Sequence, residues 1–127
     1  MSPLYTLDKL AALTSNNAEV MDRFNRSFLE QTIGTDLPRL VESARKQDYD
    51  AVFHAAHRMK TSVDVYSINS IREVLHALES NARTRQDLDH LPAQVRTVAE
   101  ALMHVARDLR SKYINTPKSR IPPPPPP

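Results

Sequence analysis

The chain of 127 residues contains a single glycine, Gly34. Phosphate-binding loops, dinucleotide-binding fingerprints and the nucleophile elbows of hydrolases each need several glycines at fixed spacing. A mostly β chain would also need glycine at more of its turns. Together with abundant Ala, Leu, Arg and Glu, this composition predicts an all-α protein and argues against those enzyme classes.

Charge and cysteine content limit the partners that the chain can have. There is no cysteine, which excludes a disulfide framework and thiolate metal sites and fits a reducing cytosol. The formal net charge is +2, and the basic residues are spread over the predicted helix faces, which argues against nucleic acid as a partner. No apolar run reaches about 18 residues and no signal-peptide segment is present, so we expect a cytoplasmic protein without direct membrane contact.

Apolar residues recur at helical spacing along most of the chain, which predicts a series of amphipathic helices. The pattern is interrupted around Gly34 and Pro38, where either one helix kinks or a new one starts at Thr35 with Pro38 in its first turn. Asp48 and Ser67 are the predicted N-caps of the two central helices. The predicted helices cover approximately residues 7–13, 17–31, 35–46, 49–66 and 68–83, and the last one opens at Leu91–Pro92.

The first half of the chain offers less regular apolar faces than the second half. Leu29 and Ile33 lie off the main stripe of their helix, where they form either a second buried face or an exposed apolar patch near the site. The apolar faces of these first helices are predicted to include Leu10, Leu13, Phe24, Phe28, Leu40 and Val41.

The helix over residues 49–66 carries the most informative pattern. At about 100° per residue, five of its apolar side chains fall within a stripe roughly 80° wide. His57 lies roughly 140° from the middle of that stripe, so its imidazole is expected to face solvent. The residues of the stripe are Val52, Ala56, Met59, Val63 and Tyr66.

Three side chains lie within reach of His57 along the same helix. Lys60 follows at i+3, Thr61 at i+4, and Phe53 precedes at i−4. An exposed imidazole is a nucleophile near neutral pH, and a lysine one turn away suits a product that carries negative charge on the ring.

The next helix places an acid beside this histidine. Its apolar stripe contains Leu75 and Leu78, and Glu79 flanks that stripe as Lys60 flanks the stripe of the preceding helix. If the two helices pack antiparallel through a short turn, Glu79 comes near His57. The alternative is a surface acid that pairs with Arg83 at i+4.

These residues resemble the active-site segment of histidine-containing phosphotransfer (HPt) domains. The usual pattern of that family is His-x-x-Lys-Gly, then a glycine–small pair, a leucine, and Leu-Glu or an equivalent with Gln. Thr61 and Ser67 stand where the family usually has glycine, and Thr61 adds a methyl group where a partner must approach. The resemblance extends more loosely from Leu7 to about Tyr113, and its motif residues are His57 to Ser62, Ser67-Ile68, Ile71, Leu75 and Leu78-Glu79.

The resemblance implies an up-down four-helix bundle with a short extra N-terminal helix, formed by residues 1–115. Residues 116–127, with six terminal prolines, are expected to form an extended tail that is either an ordinary terminus or a ligand for a proline-binding module. The implied function is that of a phosphorelay intermediate in a bacterial two-component system. His57 would accept a phosphoryl group from the aspartate of one receiver domain and pass it to another receiver.

The resemblance also implies roles for the neighbours of His57. Lys60 would offset the charge of the phosphoryl group, and Glu79 would accept a hydrogen bond from Nδ1–H and leave Nε2 free. Phe53 and Thr61 adjoin the ring and are the expected docking surface for the receiver.

The domain is expected to be a monomeric phosphocarrier without catalytic activity, metal site or cofactor of its own, since the receiver supplies Mg²⁺. Its partners would be the receiver domains of a hybrid sensor kinase and of a response regulator. Such domains occur alone or as the cytoplasmic C-terminal module of a membrane-bound sensor kinase.

Two other classes of protein compete with this interpretation. A metal-binding bundle would use His54 with His57 and the Glu73-x-x-His76 motif, but di-iron bundles need two such motifs facing the core, and this one faces away. A helical adaptor or dimerisation module without covalent chemistry is the other class. It would be favoured if His57 were buried or dispensable.

Overall fold

The computed structural model describes the backbone of residues 4–114 and the side chains of residues 4–112. This part of the chain is helical and contains no strand, so the all-α prediction is confirmed. The predicted proline-rich tail, residues 116–127, lies outside the described residues. The α-helices are α1 (Asp8–Leu13), α2 (Ala18–Ser27), α3 (Leu37–Arg45), α4 (Tyr49–Val65), α5 (Asn69–Thr84) and α6 (Leu91–Leu109).

Four helical segments close into the predicted bundle. Helix α3 packs against α4, α4 against α5, α5 against α6, and α6 back against α3. Short connections between successive members make the neighbours antiparallel. The short α1 is the extra N-terminal helix, and the preceding backbone is tied to the end of α4 by a hydrogen bond from the Thr6 amide to the Tyr66 carbonyl, at 3.0 Å. None of the described helices is long and apolar enough to cross a membrane.

A π-helical segment, Phe28–Asp36, joins α2 to α3 without a break. The backbone stays right-handed helical at both junctions, and the Leu37 amide donates to the Thr32 carbonyl five residues back. One helical run therefore passes Gly34, and α3 resumes at Leu37 with Pro38 in its first turn. The wider i→i+5 pattern changes which residues face inward. Ile33 consequently belongs to the buried core, and Leu29 packs against it, so they form the second buried face.

The core follows the predicted stripes closely in the second half of the chain. All five residues of the α4 stripe are buried, as are Leu75 and Leu78 of the α5 stripe. In the first half, three predicted inward residues are exposed. These residues are Leu13, Phe24 and Val41.

Of the two predicted N-caps of the central helices, one is confirmed and the other is wrong. The Asp48 side chain accepts a hydrogen bond from the Ala51 amide at 3.2 Å, which confirms it as the N-cap of α4. The prediction for Ser67 is wrong, because Ile68 occupies the N-cap position of α5 and Ser67 has a φ of 51°. Glycine adopts a left-handed backbone more easily than any other residue, because it has no Cβ atom. This gives a physical reason for the glycine that HPt domains usually have at this position.

Candidate functional site

His57 lies in the middle of α4, on the face opposite the buried stripe. Its side chain is 62% exposed, while Ala56 and Met59 beside it are fully buried. Burial of the stripe fixes the rotation of α4, and that rotation turns the imidazole outward. The predicted orientation of His57 is therefore confirmed, and burial of this ring, which would have favoured an adaptor, is not found.

Glu79 brings α5 into contact with both functional side chains of α4. Its Oε2 atom lies 2.6 Å from Nδ1 of His57, and its Oε1 atom lies 2.9 Å from Nζ of Lys60. The glutamate is only 6% exposed, so it reaches the ring from within the interface between the two helices. Among the described contacts, Glu79 pairs with His57 and Lys60 and not with Arg83. The antiparallel packing of α4 and α5, as predicted, brings Glu79 to His57.

The surroundings of Glu79 determine its protonation state. Burial raises the pKa of its carboxyl group, but the hydrogen bonds from Lys60 and His57 outweigh burial and hold the pKa below the ordinary value of 4.5. The group is therefore an ionised carboxylate near neutral pH and can only accept hydrogen bonds. It follows that Nδ1 of His57 carries the hydrogen of this bond. In the neutral ring, Nε2 then keeps its lone pair and faces away from Glu79.

Phe53 and Thr61 lie one turn of α4 on either side of His57. The ring of Phe53 stacks on the imidazole with 5.7 Å between centroids and 21° between planes. Phe53 is partly buried against the core, so it limits the movement of the imidazole from one side. Thr61 is exposed one turn beyond His57 on the C-terminal side.

A second ion pair next to His57 was not predicted from the sequence. The Nε–H group of Arg58 donates to Oδ1 of Asp36 at 3.2 Å, and Asp36 is only 4% exposed. Asp36 ends the π-helical segment, where the hydrogen-bond pattern departs from the α-helical period. A search for i, i+3 and i, i+4 neighbours therefore does not indicate that this acid faces α4.

The Arg58–Asp36 pair lies at one end of a row of polar side-chain contacts between the long helical run and α4, here called the polar seam. The hydroxyls of Thr32 and Ser62 share a hydrogen bond of 2.8 Å, and the Tyr66 hydroxyl donates to Oδ1 of Asn25 at 2.8 Å. A groove of about 370 Å³ runs along the seam, and both Arg58 and Thr61 line it. Polar and apolar side chains both line this groove, among them Thr32, Ser62 and Phe28.

The residues of the metal-binding alternative do not converge. Glu73 and His76 are both exposed on α5. In the part of the chain that the structure describes, no group of three or more His, Cys, Asp or Glu side chains could hold a metal ion.

The fold and this geometry define a helical bundle that presents an oriented, solvent-accessible histidine. The family model described as "Hpt domain" matches residues 26–109, which is well over half of the chain and contains His57, Lys60 and Glu79. The chain therefore belongs to the family of histidine-containing phosphotransfer domains, as its motif indicated. No curated protein and no solved structure matches it significantly. Membership implies histidine phosphotransfer in two-component phosphorelays and interaction with receiver domains.

Proposed function

We propose that His57 is the phosphoacceptor of this domain. It takes a phosphoryl group from the aspartate of one receiver domain and passes it to the aspartate of a second, as between a hybrid sensor kinase and a response regulator. The observation that carries the proposal is the 2.6 Å hydrogen bond between Nδ1 of an exposed His57 and the carboxylate of Glu79. That bond leaves Nε2 as the nucleophilic atom on the accessible edge of the ring.

The transfer is a displacement at phosphorus. The lone pair of Nε2 forms the N–P bond while the P–O bond to the aspartate breaks, and the aspartate leaves as a carboxylate. The ring keeps its hydrogen on Nδ1 and gains positive charge, which the carboxylate of Glu79 balances at 2.6 Å. In the return step the carboxylate of the second aspartate attacks phosphorus and Nε2 leaves with the N–P electron pair. Positioning and electrostatics dominate such a reaction.

Lys60 stabilises the phosphoryl group by its charge. Its ammonium group is held 2.9 Å from Glu79, so it stays one turn from the ring instead of sampling many rotamers. Because Lys60 is partly exposed to water, its contribution is modest, about 1 kcal/mol as for other exposed charge pairs. Glu79 thus orients the ring and positions the cation at the same time.

Phe53 and Thr61 are the docking residues nearest to the reacting atom. Phe53 presents the edge of a ring that already stacks on His57, and Thr61 presents a small exposed side chain. A receiver must bring its aspartyl phosphate within bonding distance of Nε2, so it must pass close to both.

In this proposal the domain is a monomeric carrier and not an enzyme. The receiver supplies the Mg²⁺ and the acid chemistry, and this chain supplies an oriented imidazole on a rigid bundle. The domain acts in the cytoplasm of a bacterium, either alone or as a module of a membrane-bound sensor kinase.

Phosphate labelling tests the proposal directly. The purified domain is incubated with a panel of phosphorylated receivers, a histidine kinase, ATP and Mg²⁺, and the label on this chain is tested for stability in acid and base. We expect acid-labile, base-stable phosphate on wild type and on the control His54→Gln, and none on His57→Gln. Label that survives in His57→Gln would mean that another histidine is the acceptor. Absence of label with every receiver would favour the adaptor class.

A further inference from the structure

Two cations flank His57 on opposite sides of α4, and each is anchored by a buried acid from a neighbouring helix. Lys60 lies about 60° around the helix to one side and Arg58 about 100° to the other. Glu79 of α5 holds Lys60 at 2.9 Å, and Asp36 of the long helical run holds Arg58 at 3.2 Å. The first pair belongs to the proposed transfer site, whereas the second has no role in it.

We propose that Arg58, anchored by Asp36, recognises the anionic face of the phosphorylated receiver as it docks over His57. Arg58 is in this view a partner-recognition residue and Asp36 its positioning residue. The inference rests on the proposed function, because it requires a receiver to approach His57.

The free donors of Arg58 support this role. A guanidinium group has five N–H donors, and only Nε–H is used by Asp36. Within the described residues no further hydrogen bond to the Nη atoms is present, and the side chain is 58% exposed. Four donors are therefore available in a geometry that matches the oxygens of a phosphate or carboxylate group. Because the Nε end is already fixed, less side-chain freedom is lost when a partner binds.

The burial of Asp36 is difficult to explain by stability alone. Its side chain is 6% exposed, and Arg58 is its only hydrogen-bond partner among the described residues. Removing a carboxylate from water is unfavourable, and a single exposed cation returns little of that free energy. An apolar side chain of similar volume would serve the packing at least as well. An acid at this position is explained if the role of Asp36 is to hold Arg58 in one orientation.

The position of Arg58 also suits a docking partner. Arg58 and Thr61 both line the groove between α4 and the long run, and Phe24 lines the same groove. Phe24 is exposed although it is a large apolar residue. A receiver that covers the His57 ring from this side therefore meets a cation and an apolar contact together.

Two phosphate donors of different size distinguish an effect on recognition of the receiver from an effect on the phosphorylation of His57 itself. Phosphoramidate is a small donor that needs no docking surface, whereas a phosphorylated receiver that labels the wild-type domain needs one. With the receiver we expect Arg58→Gln to lower kcat/KM by about tenfold, mainly through KM, and to weaken the dependence of the rate on salt. With phosphoramidate the same variant should react at the wild-type rate. The matched control is Arg96→Gln, which removes an exposed arginine from α6.

Asp36→Leu tests the anchor. Recognition through Arg58 predicts that this variant keeps its stability to urea, lowers receiver transfer by no more than the roughly tenfold of Arg58→Gln, and shows no further loss when the two substitutions are combined. A purely structural pair predicts lower stability and normal transfer, which would overturn the inference. Wild-type transfer from the receiver to Arg58→Gln would also overturn it. If wild type accepts phosphate from neither donor, the proposed function fails and this inference fails with it.

Discussion

Nδ1 of His57 and Oε2 of Glu79 lie 2.6 Å apart although 22 residues separate them in the chain. The short connection between α4 and α5 sets the register in which the two helices pack. That register places a nearly buried carboxylate under an exposed ring and beside the ammonium group of Lys60. One acid therefore determines which ring nitrogen is protonated and where the nearest cation stands.

Substitutions of Glu79 should separate hydrogen bonding from charge. In Glu79→Gln the amide oxygen can still accept from Nδ1–H, so receiver transfer should stay within a few-fold of wild type. In Glu79→Leu no acceptor remains, and transfer should fall by at least about tenfold because Nε2 is no longer kept free. The measurements are the single-turnover transfer rate and the ¹⁵N shifts of the His57 ring.

The ring spectrum provides the control for this comparison. Wild type and Glu79→Gln should show hydrogen on Nδ1 in the neutral ring, and Glu79→Leu should show a mixture of tautomers. If Glu79→Leu keeps the wild-type tautomer and rate, the carboxylate does not orient the ring.

The stability of the domain should depend on pH through Glu79. The pKa of Glu79 in the folded protein lies below its ordinary value of 4.5, so the ionised form is favoured by folding. This stabilisation is complete above the ordinary pKa and is lost as the pH falls through the lower folded value. The difference in unfolding free energy between wild type and Glu79→Gln should therefore be constant near neutral pH and shrink in acid. Urea unfolding of both proteins between about pH 3 and pH 7 measures this difference. A difference that stays constant throughout contradicts the assignment.

Ser67 adopts a backbone conformation that favours glycine, with a φ of 51°. Ser67→Gly should raise the free energy of unfolding by about 0.5–1 kcal/mol, since the left-handed conformation is unfavourable for a residue with a Cβ atom. Ser70→Gly is the matched control, because Ser70 lies within α5 and glycine there should lower stability by about 0.5 kcal/mol. Urea unfolding at neutral pH distinguishes the opposite signs, and equal signs would show that φ at Ser67 is not the cause.

Helical periodicity was sufficient to assign residues to the core or to the surface in the second half of the chain. Helix α4 contacts neighbours on one continuous face, so Met59 and Val63 could be assigned to the core and His57 to the surface from spacing alone. The proximity of Glu79 to His57 was one of two alternatives that the spacing left open, and the packing of α4 against α5 decides between them. The protein-family resemblance added the chemistry that spacing cannot supply.

In the first half of the chain, the buried residues could not all be assigned from the sequence, and the three-dimensional structure was needed. The π-helical segment changes the phase of the long run between Phe28 and Asp36, so residues after it do not continue the stripe before it. Ile33 and Asp36, which lie in this segment, are both buried. The Arg58–Asp36 pair could not be predicted from helical spacing, because the π-helical segment that carries Asp36 departs from the α-helical period.

Thr61 should limit the size of what can approach His57. Thr61→Trp is expected to lower transfer from a phosphorylated receiver by at least about tenfold, because a bulky side chain one turn from the ring obstructs docking. Phosphorylation by phosphoramidate should be unchanged, since a small donor still reaches Nε2. The control Thr97→Trp places the same side chain on the exposed face of α6 and should leave both reactions intact. If Thr61→Trp and Thr97→Trp transfer equally well, the receiver does not dock over this turn of α4, and Thr61 has no part in the docking surface.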